Sequence, residues 1–277
     1  MKVMKQIRFS LSLLLFISFM VACNEDNTEE KIKLITITET TGSGSEKVTT
    51  KQEFTFNNEL LQKHVTTQTY TDLWLEGKYT HTVATQLKYE SGKVIITDEV
   101  GNESIYNLDA EGRAMDCTRN EPGGNIRTYT FSYSSSEGGI LTGIKENING
   151  QLYSEITIEI PQTGTMRITE SSNNLKNTFI ASTNSDFPGI LNTTSRLPWL
   201  FLAERYPFSF HVEALYANIL GTPLPVLPGL LEMEGSNEIT TYTYTADKQD
   251  NITSCTVKTS IPDRSWNRDV QYSYTSY

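Results

Sequence analysis

The sequence predicts an all-β protein, mainly antiparallel, built as one long curled sheet or incomplete barrel of stacked hairpins. A short helical, proline-rich insert is expected on its concave face. Three observations carry this reading. Apolar residues recur at every second position through most of the chain, the period of a strand with one buried and one wet face. Polar clusters of Asn, Asp and Gly follow strand ends of aromatic-x-aromatic type, at intervals short enough for hairpins. One stretch, from about 184 to 235, breaks the alternation and gathers most of the nine prolines.

Taken in order, residues 1–22 read as a secretory leader. Lys2, Lys5 and Arg8, with no acid among them, precede an apolar run from Leu11 to Phe19 that is too short for a good membrane span. The run closes in Ser-Phe-Met-Val-Ala-Cys. A cysteine at such a cut resembles the bacterial lipobox, with Met20 and Val21 departing from its commonest residues. The resemblance implies that Cys23 becomes the lipid-modified first residue of a membrane-anchored protein. The plain alternative is an ordinary signal peptide followed by an incidental cysteine. Residues 23–31, rich in Glu and Asp, form an acidic tether with nothing that packs. Acids just behind a lipidated cysteine resemble the signal by which some Gram-negative lineages export lipoproteins to the cell surface, which implies the outer leaflet of the outer membrane. Removing the leader takes away three basic residues and moves the formal charge from −10 to −13. So acidic a chain, with no Lys/Arg cluster, is unsuited to nucleic acid or to electrostatic docking on anionic lipid.

Residues 32–277 then form a single β domain. Phe54-Thr-Phe56 leads into Asn57-Asn58-Glu59. Tyr79, His81, Val83, Thr85, Leu87 and Tyr89 alternate with polar residues as far as Glu90-Ser91-Gly92. Tyr106-Asn-Leu108 leads into Asp109-Ala-Glu-Gly112, Tyr129, Phe131 and Tyr133 share a face, and so do Ile156, Ile158 and Ile160. Sheets with one wet face are antiparallel, since parallel ones are covered on both sides. The segment Tyr-Asn-Leu-Asp-Ala-Glu-Gly-Arg at 106–113 resembles the hairpins of YD-repeat proteins, though the spacing is too loose for a strict solenoid.

In the insert, Pro198-Trp-Leu-Phe-Leu-Ala203 suits a short helix with Pro at its first turn. Val212, Leu215, Tyr216, Ile219 and Leu220 fall at helical spacing, with Gly221 and Pro223 as stop signals. So apolar a segment must lie against the sheet. The stretch 215–252, Leu-Tyr-x-x-x-Leu-Gly-x-Pro and Leu-Pro followed by Tyr-x-Tyr and an Asp-x-x-Asp-Asn-Ile turn, resembles the family described as domain of unknown function 4595 with porin-like fold. That resemblance implies a large curled, porin-like antiparallel sheet and carries no catalytic residue with it.

Candidate chemistry is sparse. His64, His81 and His211 are isolated from each other and from Cys117 and Cys255 at any usual metal-ligand spacing, so no metal or cofactor is expected. The two cysteines, permitted a bridge by an oxidising compartment, read more simply as small apolar residues. No nucleophile elbow or phosphate loop is present. Glu155, Glu159 and Glu170 leave open a carbohydrate-active hydrolase with two strand-borne carboxylates. Trp74, Trp199, Phe201, Tyr206, Phe208, Phe210 and Trp266 are the rings available to line a cleft for a glycan or an apolar ligand, unless they only glue the insert to the sheet. An integral outer-membrane barrel has a phase problem, because Val270, Tyr272 and Tyr274 share one face while the terminal Tyr277 falls on the other. The expectation is therefore a membrane-anchored, surface-exposed lipoprotein that binds a ligand or partner, or serves as a scaffold, without catalysis.

Overall fold

A computed structural model describes residues 32–42, 47–72, 77–135, 139–162, 164–172, 175–183, 202–203, 207–222, 227–248 and 251–276. The leader, Cys23 and the acidic tether lie outside the described residues.

Period-two alternation gives sixteen strands among the described residues. They are β1 (Ile32–Thr41), β2 (Val48–Asn57), β3 (Leu60–Asp72), β4 (Gly77–Glu90), β5 (Lys93–Thr97), β6 (Glu103–Leu108), β7 (Ala114–Asn120) and β8 (Ile126–Tyr133). There follow β9 (Leu141–Ile148), β10 (Gln151–Gln162), β11 (Thr165–Ser172), β12 (Leu175–Thr183), β13 (Pro228–Met233), β14 (Ile239–Ala246), β15 (Ile252–Ile261) and β16 (Arg264–Ser276). Each pairs antiparallel with its sequence neighbours, so local turn chemistry builds most of the sheet. Asn149 (φ 52°) and Gly150 (φ 81°) illustrate it: a two-residue hairpin whose twist requires left-handed backbone at both positions.

The sheet is closed, which corrects the expectation of an incomplete barrel. β1 pairs antiparallel with β16, from Ile32↔Ser276 to Thr41↔Arg268, and this contact leaves no sheet edge. No local signal announces it, since the pairing joins the two ends of the domain. Odd-numbered strands run away from the end where β1 begins, and even-numbered strands return. The barrel thus has a terminal end, holding the start of β1, the finish of β16 and both ends of the long β12–β13 connection, and a distal end where each odd-numbered strand leads into the next even-numbered one.

Polarity of the two faces is sharply divided. Ile35, Phe54, Val94, Tyr106, Ile144, Ile156, Ile168 and Val270 are buried on the inner rows. The outer rows carry Lys51, Thr55, Lys88, Lys145, Glu159, Thr243, Lys258 and Asp269, all exposed. A barrel of sixteen strands is wide enough to leave a channel; here the β12–β13 connection fills it. Its described residues include a 3-10 turn (Phe208–Phe210) and a five-residue helix α1 (Val212–Tyr216), with Phe208, His211, Ala214, Leu215, Tyr216 and Leu220 no more than 1% exposed. Among the described residues the expected helical insert shows these two short turns of helix plus helical backbone at Leu202–Ala203, and β13 lies within the stretch assigned to it. Enclosure by the barrel wall, not helical periodicity, satisfies the segment. The rest of the proposed 198–203 helix is outside the described residues.

The plug is stitched to the wall. Phe54 stacks with His64 (centroids 4.2 Å) and with Tyr216 of α1 (3.9 Å). His64 Nδ1 donates to Glu213 Oε1 at 2.9 Å, and Thr66 Oγ1 lies 3.2 Å from the other ring nitrogen. At the terminal end, Ala114 N–H donates to Ile219 C=O (2.7 Å) and Thr222 N–H to Gly139 C=O (3.1 Å). Gly221 sits between them at φ 77°, where a Cβ would stand 2.3 Å from the Gly139 oxygen, so only glycine closes this return.

Candidate functional site

Charges enter the apolar inner rows at the distal ends of strands. Arg119 on β7 lies directly opposite Arg127 on β8, both in register with buried residues of their rows (Cys117 and Tyr129). Glu146 on β9 continues the row of Ile144 and is fully buried. Its carboxylate accepts from Arg127 Nη1 (2.5 Å), Ser154 Oγ (2.6 Å) and Tyr129 Oη (3.2 Å). Arg127 also donates through Nε to Glu121 (2.6 Å) and lies 5.6 Å and 5.8 Å from the Phe210 and Tyr153 ring centres. Both carboxylates raise its affinity for its proton. Arg119 donates to Asp98 (3.0 Å) and Ser104 (3.3 Å). Burial opposes the Asp98 charge, but hydrogen bonds from Asn102 and Val100 together with Arg119 hold that carboxyl below its ordinary range.

His211 of the plug lies against this network. Its Nδ1 is 2.6 Å from Tyr106 Oη, and the Tyr129 ring meets it edge-on at 4.4 Å. Burial, reinforced by the Arg119 charge, pushes its pKa down to about 3. The ring is therefore neutral, and its Nδ1 shares one hydrogen bond with the Tyr106 hydroxyl. Burial raises the Tyr106 pKa as well, keeping that hydroxyl a donor.

The same end carries most of the exposed large apolar side chains. Of thirteen exposed large apolar side chains among the described residues, Tyr70, Tyr79, Val100, Ile126, Leu152, Leu175, Ile239, Ile261 and Trp266 belong to distal strand ends or turns, and Phe210 is the plug residue beside Arg127. Tyr70 and Tyr79 stack at 6.0 Å on inward rows yet remain over a third exposed. Where β10, β11 and β12 reach this rim, a cavity of about 230 Å³ lies between the wall and Pro207. A second, of about 500 Å³, extends over the rim and shares Ser154, Glu155, Ser171, Ser172 and Leu175 with it.

The ring residues expected to line a cleft are divided by the structure. Phe208 is fully buried core, whereas Phe210 and Trp266 are exposed at the distal end. Trp74, Trp199, Phe201 and Tyr206 lie outside the described residues. Glu155 and Glu159 sit on the outer rows, Glu155 paired with Lys145 at 3.3 Å, while Glu170 lies on the inner row. They do not converge as a catalytic pair, and Glu146 is committed to three donors. Cys117 and Cys255 are both buried and are not joined in a disulfide, and burial pushes Cys117 up to about 12. Sequence reasoning passed over Arg119, Arg127 and Glu146. Their signal is a charge in phase with an apolar row, as in Ile144-Lys-Glu146-Asn-Ile148.

A closed barrel with a greasy, self-filled interior and a hydrophilic exterior defines a plugged β-barrel of inverted polarity relative to a membrane pore. The chain belongs to the family described as domain of unknown function (DUF4595) with porin-like fold, whose model matches residues 60–276. It is similar to a porin-like protein from Bacteroides uniformis ATCC 8492, with 32% identity, a TM-score of 0.80, and coverage of 88% of this chain and 96% of that one. A porin-like protein from Bacteroides vulgatus ATCC 8482 matches at 12% identity and a TM-score of 0.48, covering 69% of this chain and 87% of that one. Comparison with the curated proteins yields no match.

Proposed function

We propose that this protein is a lipid-anchored barrel of the cell envelope that binds a ligand or partner at its distal mouth, and that it is neither a pore nor an enzyme. The division of polarity supports this most directly. A membrane-spanning barrel needs an apolar outer band and has a polar lumen. Here the outer rows carry Lys51, Lys88, Lys145 and Lys258, and the lumen holds Leu215, Tyr216 and Leu220. Cys23 supplies the anchor in this reading, since such an exterior cannot enter a bilayer. β1 begins at the terminal end, opposite the distal mouth. Acyl labelling and fractionation test the anchor: Cys23→Ala is expected to abolish labelling and release the protein from membranes, and unchanged behaviour would refute it. Planar-bilayer recording tests the plugged lumen, with no conductance expected; steady single-channel currents from the purified full chain would overturn the reading.

A further inference from the structure

Resting on the mouth as the binding end, we propose that the groove where β10, β11 and β12 meet the plug is a saccharide site, taking a neutral polyhydroxylated ligand. Its two cavities, of about 230 and 500 Å³, share five lining residues and so run together. Their size is that of ordinary small-molecule sites, roughly 300–1,000 Å³.

The lining decides the ligand class. Glu170 and Asn177 are directly opposite in the β11–β12 register, and Ser172 stands opposite both Ser154 and Leu175. A carboxylate that accepts, a carboxamide that does both and hydroxyls that do either match a ligand whose every substituent is itself donor and acceptor. Leu175, 71% exposed, adds apolar surface of the kind the C–H face of a pyranose ring requires, and Pro207 lines the inner end of the groove. A lipid tail finds too many polar groups here. A polyanion meets Glu155 and Glu170 against the single cation Lys176, in a chain of net charge −10. A metal ion finds no cluster of three His, Cys, Asp or Glu among the described residues. Further round the mouth, inward-facing Tyr70, Tyr79 and Trp266 offer exposed rings on which additional units of a chain can stack.

The test uses the purified full chain and tetra- to hexasaccharide panels of the gluco-, manno-, galacto-, xylo- and N-acetylhexosamine series, with sulfated and uronic oligosaccharides as the anionic arm. At least one neutral series is expected to bind by calorimetry. Asn177→Ala and Glu170→Gln should each weaken it about tenfold, the loss of one hydrogen bond to a polar or charged partner. Should Glu170→Gln lower the thermal midpoint, Ser172→Ala at the rim replaces it. No neutral binding with a Kd below ~10 mM, preference for the anionic arm, or neutral binding indifferent to these variants would each overturn the assignment. Such a failure with an anchored, non-conducting protein leaves the general reading intact; loss of the anchor or appearance of conductance overturns that reading instead.

Discussion

Acid should loosen this barrel through one residue, His211. The ring is 1% exposed and has a pKa of about 3, against an ordinary value of 6.5. Between these values the unfolded chain binds a proton that the folded chain refuses. Stability therefore rises with pH across this window: the contribution is fully present above 6.5 and is lost as pH falls toward 3. At pH 5 the linkage relation gives a loss of about 2 kcal/mol, undiluted by solvent because the ring is buried. For a domain of this size that lowers the thermal midpoint by about 4–8 °C between pH 7 and pH 5. The carboxyls held low, Asp98 and Asp109, lose their contribution only at lower pH and do not share this interval. Differential scanning fluorimetry or circular dichroism from pH 7 to 4.5 measures the slope. His211→Gln, neutral throughout, should start less stable but with a flatter profile. An unchanged slope in His211→Gln would refute the assignment of acid sensitivity to this ring.

Two further substitutions probe the seating of the plug. Phe54→Ala removes the ring on which both His64 and Tyr216 stack and should cost about 3–5 kcal/mol, read as a drop of about 6–20 °C in thermal midpoint; a drop under ~3 °C would mean the stack contributes little. Gly221→Ala forces both a strained backbone and a Cβ against the Gly139 oxygen, so it should destabilise by at least ~1 kcal/mol in denaturant unfolding, whereas Gly92→Ala, with open space around it, isolates the backbone share alone.

Most strands were legible because period-two alternation and turn residues act over a few neighbours, as in Tyr79–Tyr89 and the Asp109–Gly112 turn. Closure was not, because the β1–β16 pairing depends on which strands meet after all others have formed. The helical reading of the plug failed for a related reason. Val212, Leu215, Tyr216, Ile219 and Leu220 do sit at helical spacing, but they are surrounded by barrel wall, so their burial does not need a continuous helix. Rings were a poor guide to the mouth, since Phe208 and Phe210 are two residues apart yet one is core and the other exposed. The phase of charges was the better guide. Arg119, Arg127 and Glu146 each interrupt an apolar row near a distal strand end, which marks where charged groups replace apolar ones on the inner face.

The inverted polarity makes the plug a structural necessity and not a gate. A sixteen-stranded barrel emptied of its plug would enclose a wide cavity walled by Ile35, Phe54, Val94, Ile144 and Ile168. Water would meet bare apolar surface there, at a cost of about 25 cal/mol for each Å². An outer-membrane pore avoids this cost by lining its lumen with polar side chains, whereas the inward charges of this wall, Arg119, Arg127 and Glu146, gather near its distal end. Weakening the plug should therefore unfold the barrel before it opens a passage. Leu215→Asp is the sharpest form of the test, because Leu215 is fully buried and its replacement sets an unpaired carboxylate in the apolar interior, costing several kcal/mol. The expected result is loss of cooperative unfolding and of soluble, protease-resistant protein, with no gain of conductance in a bilayer. A Leu215→Asp protein that keeps its β signature and its protease resistance while admitting small hydrophilic dyes to its interior would show that the wall tolerates water, and the plug would then have to be reconsidered as a removable door.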